Sequence, residues 1–161
     1  MQSAWLALVV SILAVTPTLA ESPHSNGEGF IYLPAQEVPF EGSQQGGAQR
    51  AVIFGDPSKP GVYVIRVKFP PGVHSNPHFH SEDRHAVVIS GTWWNGTGED
   101  ISFAKARPVK AGSYVFHPAG KVHWDGAGEE EAIIQITGIG PVTTTPAGPS
   151  NVHPADWPAP K

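Results

Sequence analysis

From Ala51 onward the chain is cut by Gly, Pro and Asp into short runs rich in Val, Ile, Tyr and Phe, and none repeats its apolar residues at the spacing of a helix face. Runs of this kind bury an apolar side by pairing with one another, which confines the chain to an all-β fold. Ala51 to Phe54 reads as one strand, closed by the turn residues Gly55-Asp56-Pro57-Ser58-Lys59-Pro60-Gly61. In the next, Val62 to Phe69, alternation sends Ile65, Val67 and Phe69 inward and Arg66 and Lys68 outward. Ala86 to Ile89 turns at Ser90-Gly91 into Thr92-Trp93-Trp94; further strands are expected at Ser113–His117, Val122–Trp124 and Glu131–Ile139. About eight strands predict a barrel or double-sheet jelly roll.

The flanks differ from this middle. Residues 1–20 read as a signal peptide, with an apolar core from Trp5 to Val15 and small residues at Thr18 and Ala20 before a mature start at Glu21. The lack of Lys or Arg before that core argues against it. The apolar run is nevertheless too short to span a bilayer and is closed by Pro17. Export to the periplasm or the medium is the expectation, with no membrane association after cleavage. Residues 21–50 form a flexible lead-in with one short strand near Phe30–Leu33, residues 51–140 the barrel, and residues 141–161 a Pro-rich tail. Proline at that density rules out helix and inner strand. The tail is either disordered or laid over the barrel, and Trp157 favours the second. With no cysteine the fold has no disulfide, and a net charge of −4 without a basic cluster argues against nucleic acid as a partner. The expected ligand is a small molecule, and a homodimer is compatible with the apolar strands.

Four of the eight histidines, His74, His78, His80 and His85, crowd the stretch from Pro70 to Trp94. In an extended chain His78 and His80 leave one face while Phe79 leaves the other. Two such residues lie roughly 6.5–7 Å apart, so their rings can lean toward one ion held at about 2.0–2.1 Å from each nitrogen. A lone His-x-His is more often a solvated turn. A third histidine on a separate strand changes that balance, and His123 supplies it: Ser113 to His117 reads as a strand, Pro118-Ala119-Gly120 as a turn, and the next strand, Val122–Trp124, carries His123.

These two segments resemble the two motifs of the cupin family. The first motif is a glycine, five residues, His-x-His, a glutamate three or four residues on, and a closing glycine; Gly72, His78, His80 and Gly91 match it. The second, a glycine followed by Pro-x-Gly, a histidine and a later asparagine, is matched by Gly112, Pro118, Gly120 and His123. The resemblance implies a cupin jelly-roll β-barrel binding one divalent transition metal (Fe, Mn, Ni, Cu or Zn) through His78, His80 and His123. Two positions depart from the family pattern. Arg84 stands where the glutamate is usual, and a guanidinium cannot be a ligand; it either turns away to Glu82 or Asp83 or meets a substrate carboxylate. His85, one residue on, is either a fourth ligand, if a bulge turns it inward, or a surface or sheet-packing histidine. Ala127 replaces the final asparagine.

Of the remaining candidates, Glu82 reads as part of a solvated acidic loop, His74 as a loop residue beside the site, and His117 as either a cavity-lining or a structural residue. At most one of Trp93 and Trp94 lines the barrel, and Trp124 faces away from it if His123 faces in. What the resemblance implies about activity is a metal-dependent dioxygenase, isomerase or lyase acting on a small molecule. The rival class is a non-catalytic cupin that binds or senses a metal or ligand, and the missing glutamate with Arg84 in its place favours it.

Overall fold

The computed structural model describes residues 24–25, 27–42, 47–149 and 153–160. The expected signal peptide and its cleavage site lie outside the described residues. The chain divides into two compact units, Met1–Glu37 and Val38–Lys161. In the first, β1 (His24–Ser25) pairs antiparallel with β2 (Ile31–Tyr32), and a 3-10 turn at Ala35–Glu37 follows.

The second unit carries the jelly roll. Its strands are β3 (Glu41–Gly42), β4 (Gln49–Phe54), β5 (Gly61–Phe69), β6 (His78–His80), β7 (Arg84–Ser90), β8 (Thr92–Thr97), β9 (Arg107–Lys110), β10 (Tyr114–His117), β11 (His123–Ala127), β12 (Ala132–Gly140) and β13 (Thr144–Pro146). They form two antiparallel sheets, one in the order β10-β7-β12-β5-β4-β3 and the other in the order β13-β6-β11-β8-β9. The all-β fold expected from the punctuated runs is therefore present as a double sheet.

Alternation decides what lies between the sheets. On β5, Tyr63, Ile65 and Phe69 are buried and Val67 packs against them, while Arg66 reaches outward to Gln135 of β12. Ala86 and Val88 of β7, and Ala132, Ile134 and Ile136 of β12, complete that inner face. Trp93 and Ala127 meet it from the opposite sheet. The turn from β7 to β8 pivots on Gly91 at φ 70°, where a Cβ would stand 2.0 Å from the Glu131 carbonyl oxygen; only glycine suits both conditions.

Besides the two-residue β1 and β3 of the lead-in, β9 and β13 were not foreseen, and both contain a proline, Pro108 and Pro146. Each lies at an outer edge of its sheet, where a missing N–H costs no ladder bond. Beyond β13 the chain crosses the outer side of this sheet. The Trp157 ring is 3% exposed, its indole N–H donates to the Ala127 carbonyl at 3.0 Å, and it packs edge-on to Trp124 and Phe103. Trp124, pointing away from the interior as alternation requires, is buried beneath it. Gly96 on β8 makes room for Trp124, since a Cβ there would lie 2.0 Å from the indole.

Candidate metal centre

β6 and β11 are antiparallel neighbours, and their register sets His78 directly opposite His123. His80, two residues along β6, shares the inward face. One ring nitrogen of each of the three lies within 4.8 Å of those of the others, and the ring centroids are 4.4 to 5.2 Å apart. The two segments singled out in the sequence therefore meet inside the barrel.

The hydrogen bonds fix which nitrogen each ring offers. His78 Nδ1 donates to the Asn76 carbonyl at 2.7 Å, and His123 Nδ1 donates to the Lys121 carbonyl at 2.9 Å. A carbonyl only accepts, so both rings carry their proton on Nδ1 and keep the Nε2 lone pair free. For His80 the inference runs from the other side. Its Nε2 faces Arg84 Nη1 at 2.5 Å, and arginine only donates, so Nε2 is the acceptor. Its Nδ1–H then donates to Thr144 Oγ1, 3.1 Å away on β13. His78 and His123 thus present free Nε2 lone pairs and His80 one engaged by Arg84, each ring held from its far side by a fixed partner; with the guanidinium withdrawn the three form a donor set suited to a divalent transition metal.

Burial favours the neutral form of His80 and His123. His80 is pushed down to about 3, chiefly by burial and then by the Arg84 charge, and His123 is lowered by burial. His117 on β10 points inward beside them, its ring 4.0 Å from that of His123 and its Nε2 bonded to Asn95 Oδ1 at 3.2 Å. Burial pushes it down to about 4. His117 therefore lines the cavity.

Asp125 escaped the sequence reading. It lies two residues after His123 on β11 and is 7% exposed, with Ser75 Oγ donating to its Oδ1 at 2.6 Å. Burial works to raise its pKa, but the fields of His78, His123 and His117 and the Ser75 bond hold it below the ordinary carboxylate value. A carboxylate thus sits against the histidines although the family glutamate is absent. The alternation that places His123 inward would have revealed it.

The other candidates are placed elsewhere. Arg84, Ala86 and Val88 take the inward positions of β7, so His85 faces outward; it is exposed, and its Nδ1 bonds the Tyr114 hydroxyl at 2.8 Å. No bulge turns it in, because the irregularity between β7 and β12 lies beyond Val88. His85 is accordingly not brought to the cluster. Glu82 stays in the exposed loop before β7. His74 lies against His153 and Trp157 under the tail. Trp93 lines the interior against His117, while Trp94 packs at a tilt against Phe103.

A cavity of about 410 Å³ opens next to His123, and its lining includes Asn95, Lys105, Arg107, His117 and Lys121. The cavity beside His123 is thus lined by three cationic side chains, of which Lys105 also lies 4.0 Å from Asp100.

A double-sheet jelly roll with histidines from two antiparallel strands converging inside it defines a cupin. The chain matches the ChrR cupin-like domain over residues 28–143 and belongs to that family. No curated protein matches it. Among solved structures it is similar to the polyketide cyclase RemF from Streptomyces resistomycificus, with 15% identity over 74% of this chain and 86% of the cyclase at a TM-score of 0.61. It is similar also to the DMSP lyase DddQ from Ruegeria pomeroyi, with 14% identity over 70% of this chain and 62% of the lyase at 0.55. KdgF from Halomonas sp. shares 18% identity over 67% of this chain and 92% of that protein at 0.52. At these identities the likeness is one of fold.

Proposed function

We propose that this protein is an exported cupin that holds one divalent transition metal through Nε2 of His78, His80 and His123 and acts on a small anionic molecule. The observation that carries the reading is the convergence of one ring nitrogen from each of His78, His80 and His123 within 4.8 Å, the rings being tied back through Nδ1, with the buried Asp125 carboxylate as counter-charge. Histidine-only ligation suits Fe, Mn, Ni, Cu and Zn, and such an ion supplies Lewis acidity when bound. The chain's own residues do the rest. Lys105, Arg107 and Lys121 lining the cavity attract an anion, and Asn95 Oδ1 accepts from His117 Nε2–H and so orients the neutral His117 ring against a molecule in the cavity. Lyase and cyclase activities among proteins of the same fold are in keeping with turnover.

The test is elemental analysis of protein purified without an affinity tag, followed by a panel of small carboxylates with the native ion restored. About one metal per chain in the wild type and its loss in His78→Ala are expected. A metal-free wild type that takes up no added ion would refute the site. Arg84 against His80 favours the second reading, a cupin that binds a ligand without turnover; the carboxylate panel separates the two. Export rests on residues 1–20, and N-terminal sequencing of the mature protein checks it, with Glu21 the expected first residue.

A further inference from the structure

Arg84 stands at a position where it touches a proposed ligand through the atom a metal would need. Its Nη1 lies 2.5 Å from His80 Nε2. The contact belongs to the fold of β7, because Arg84 precedes Ala86 and Val88 on the inward face and pairs across the sheet with His117. The Arg84 Nε is buried without a hydrogen-bond partner, and the Tyr63 hydroxyl beside it, also buried and unpartnered, is an acceptor to which the guanidinium can turn. An sp² ring nitrogen has one lone pair in the ring plane, and it cannot serve an N–H donor and a metal together. With His80 engaged, only His78 and His123 remain to hold an ion, and the ion would meet a fixed positive charge at close range.

We propose that Arg84 and a divalent metal compete for Nε2 of His80, so that loading the site requires the guanidinium to withdraw. The proposal rests on the three-histidine reading above and adds to it a residue that weakens the site. Arg84 thus replaces a ligand in the family pattern with a built-in rival cation, and this cupin holds its metal less tightly than its donor set allows.

The experiment is a zinc titration of tag-free, chelator-stripped protein by calorimetry, comparing the wild type with Arg84→Gln, Arg84→Met and His123→Ala. Removing a charge-assisted hydrogen bond should raise zinc affinity about ten- to a hundredfold in both Arg84 variants. His123→Ala should weaken it. Equal or weaker binding by both Arg84 variants would overturn the competition while leaving the three-histidine site intact. If instead His123→Ala binds zinc like the wild type, or no form binds it, the site itself is wrong and the competition falls with it. A wild-type measurement guards against variants that fail to fold. The ¹⁵N resonance of His80 Nε2 should report a hydrogen-bonded acceptor before zinc and a metal-bound nitrogen after it. A His80 Nε2 that zinc leaves unmoved, or that is unbonded from the start, would count against the proposal.

Discussion

Replacing Trp157 by alanine tests whether the Pro-rich tail belongs to the folded core. The ring is 3% exposed and touches Trp124, Phe103 and His74, and its N–H is bonded to the Ala127 carbonyl. A buried tryptophan removes about 150–250 Å² from water, which at about 25 cal/mol per Å² is about 4–6 kcal/mol as an upper bound. Truncations of this size usually cost about 3–5 kcal/mol, and that is the expected loss for Trp157→Ala in urea denaturation of the metal-stripped protein. Trp157→Phe keeps most of the ring contact and gives up the hydrogen bond, so it should lose only about 1–2 kcal/mol. The urea slope should stay unchanged in both, because the same surface is exposed on unfolding. A cost below about 1 kcal/mol for the alanine variant, or a smaller slope already in the wild type, would refute the docking.

Other outcomes follow from the site. Asp125→Asn should weaken zinc binding about 10–100-fold, as loss of a group supporting metal ligands commonly does; unchanged affinity by calorimetry would show that its charge is not felt there. His85→Ala should leave zinc affinity within about twofold of the wild type, because the residue is exposed on the outer face. Acid should destabilise the metal-stripped fold. His80 and His117 sit at about 3 and about 4 when folded against an ordinary 6.5. Between those values the unfolded chain takes up protons that the folded chain refuses, so stability is full above about pH 6.5 and falls as the pH drops toward about 4 and then 3. Melting temperatures that hold level from about pH 7 to 4.5 would contradict the burial of these rings.

The parts of the fold and site that could be read beforehand were those governed by alternation. His78 and His80 share a face because they are two residues apart, and Trp124 faces away because it adjoins His123. The same rule, carried from Ala86 and Val88 back along β7, sends Arg84 inward and His85 outward, and it places Asp125 beside His123. The edge strands were hidden for another reason. Pro108 and Pro146 are compatible with strand only at a sheet edge, and which strand is an edge depends on pairing across the whole chain. Trp157 signalled a docked tail, but its resting place on Ala127 is set by the outer surface of a sheet and by no local pattern.

One pairing has a consequence for how the protein is made. β6, only three residues long, carries two of the proposed ligands and is flanked by β11 and by β13, and the β13 side includes the Thr144 hydroxyl that orients His80. During translation His78, His80 and His123 all emerge before residues 144–146. A growing chain can close most of its sheets while His80 still lacks the neighbour that sets its ring, so the centre is completed last, and proteolytic trimming of the C-terminus would undo it first.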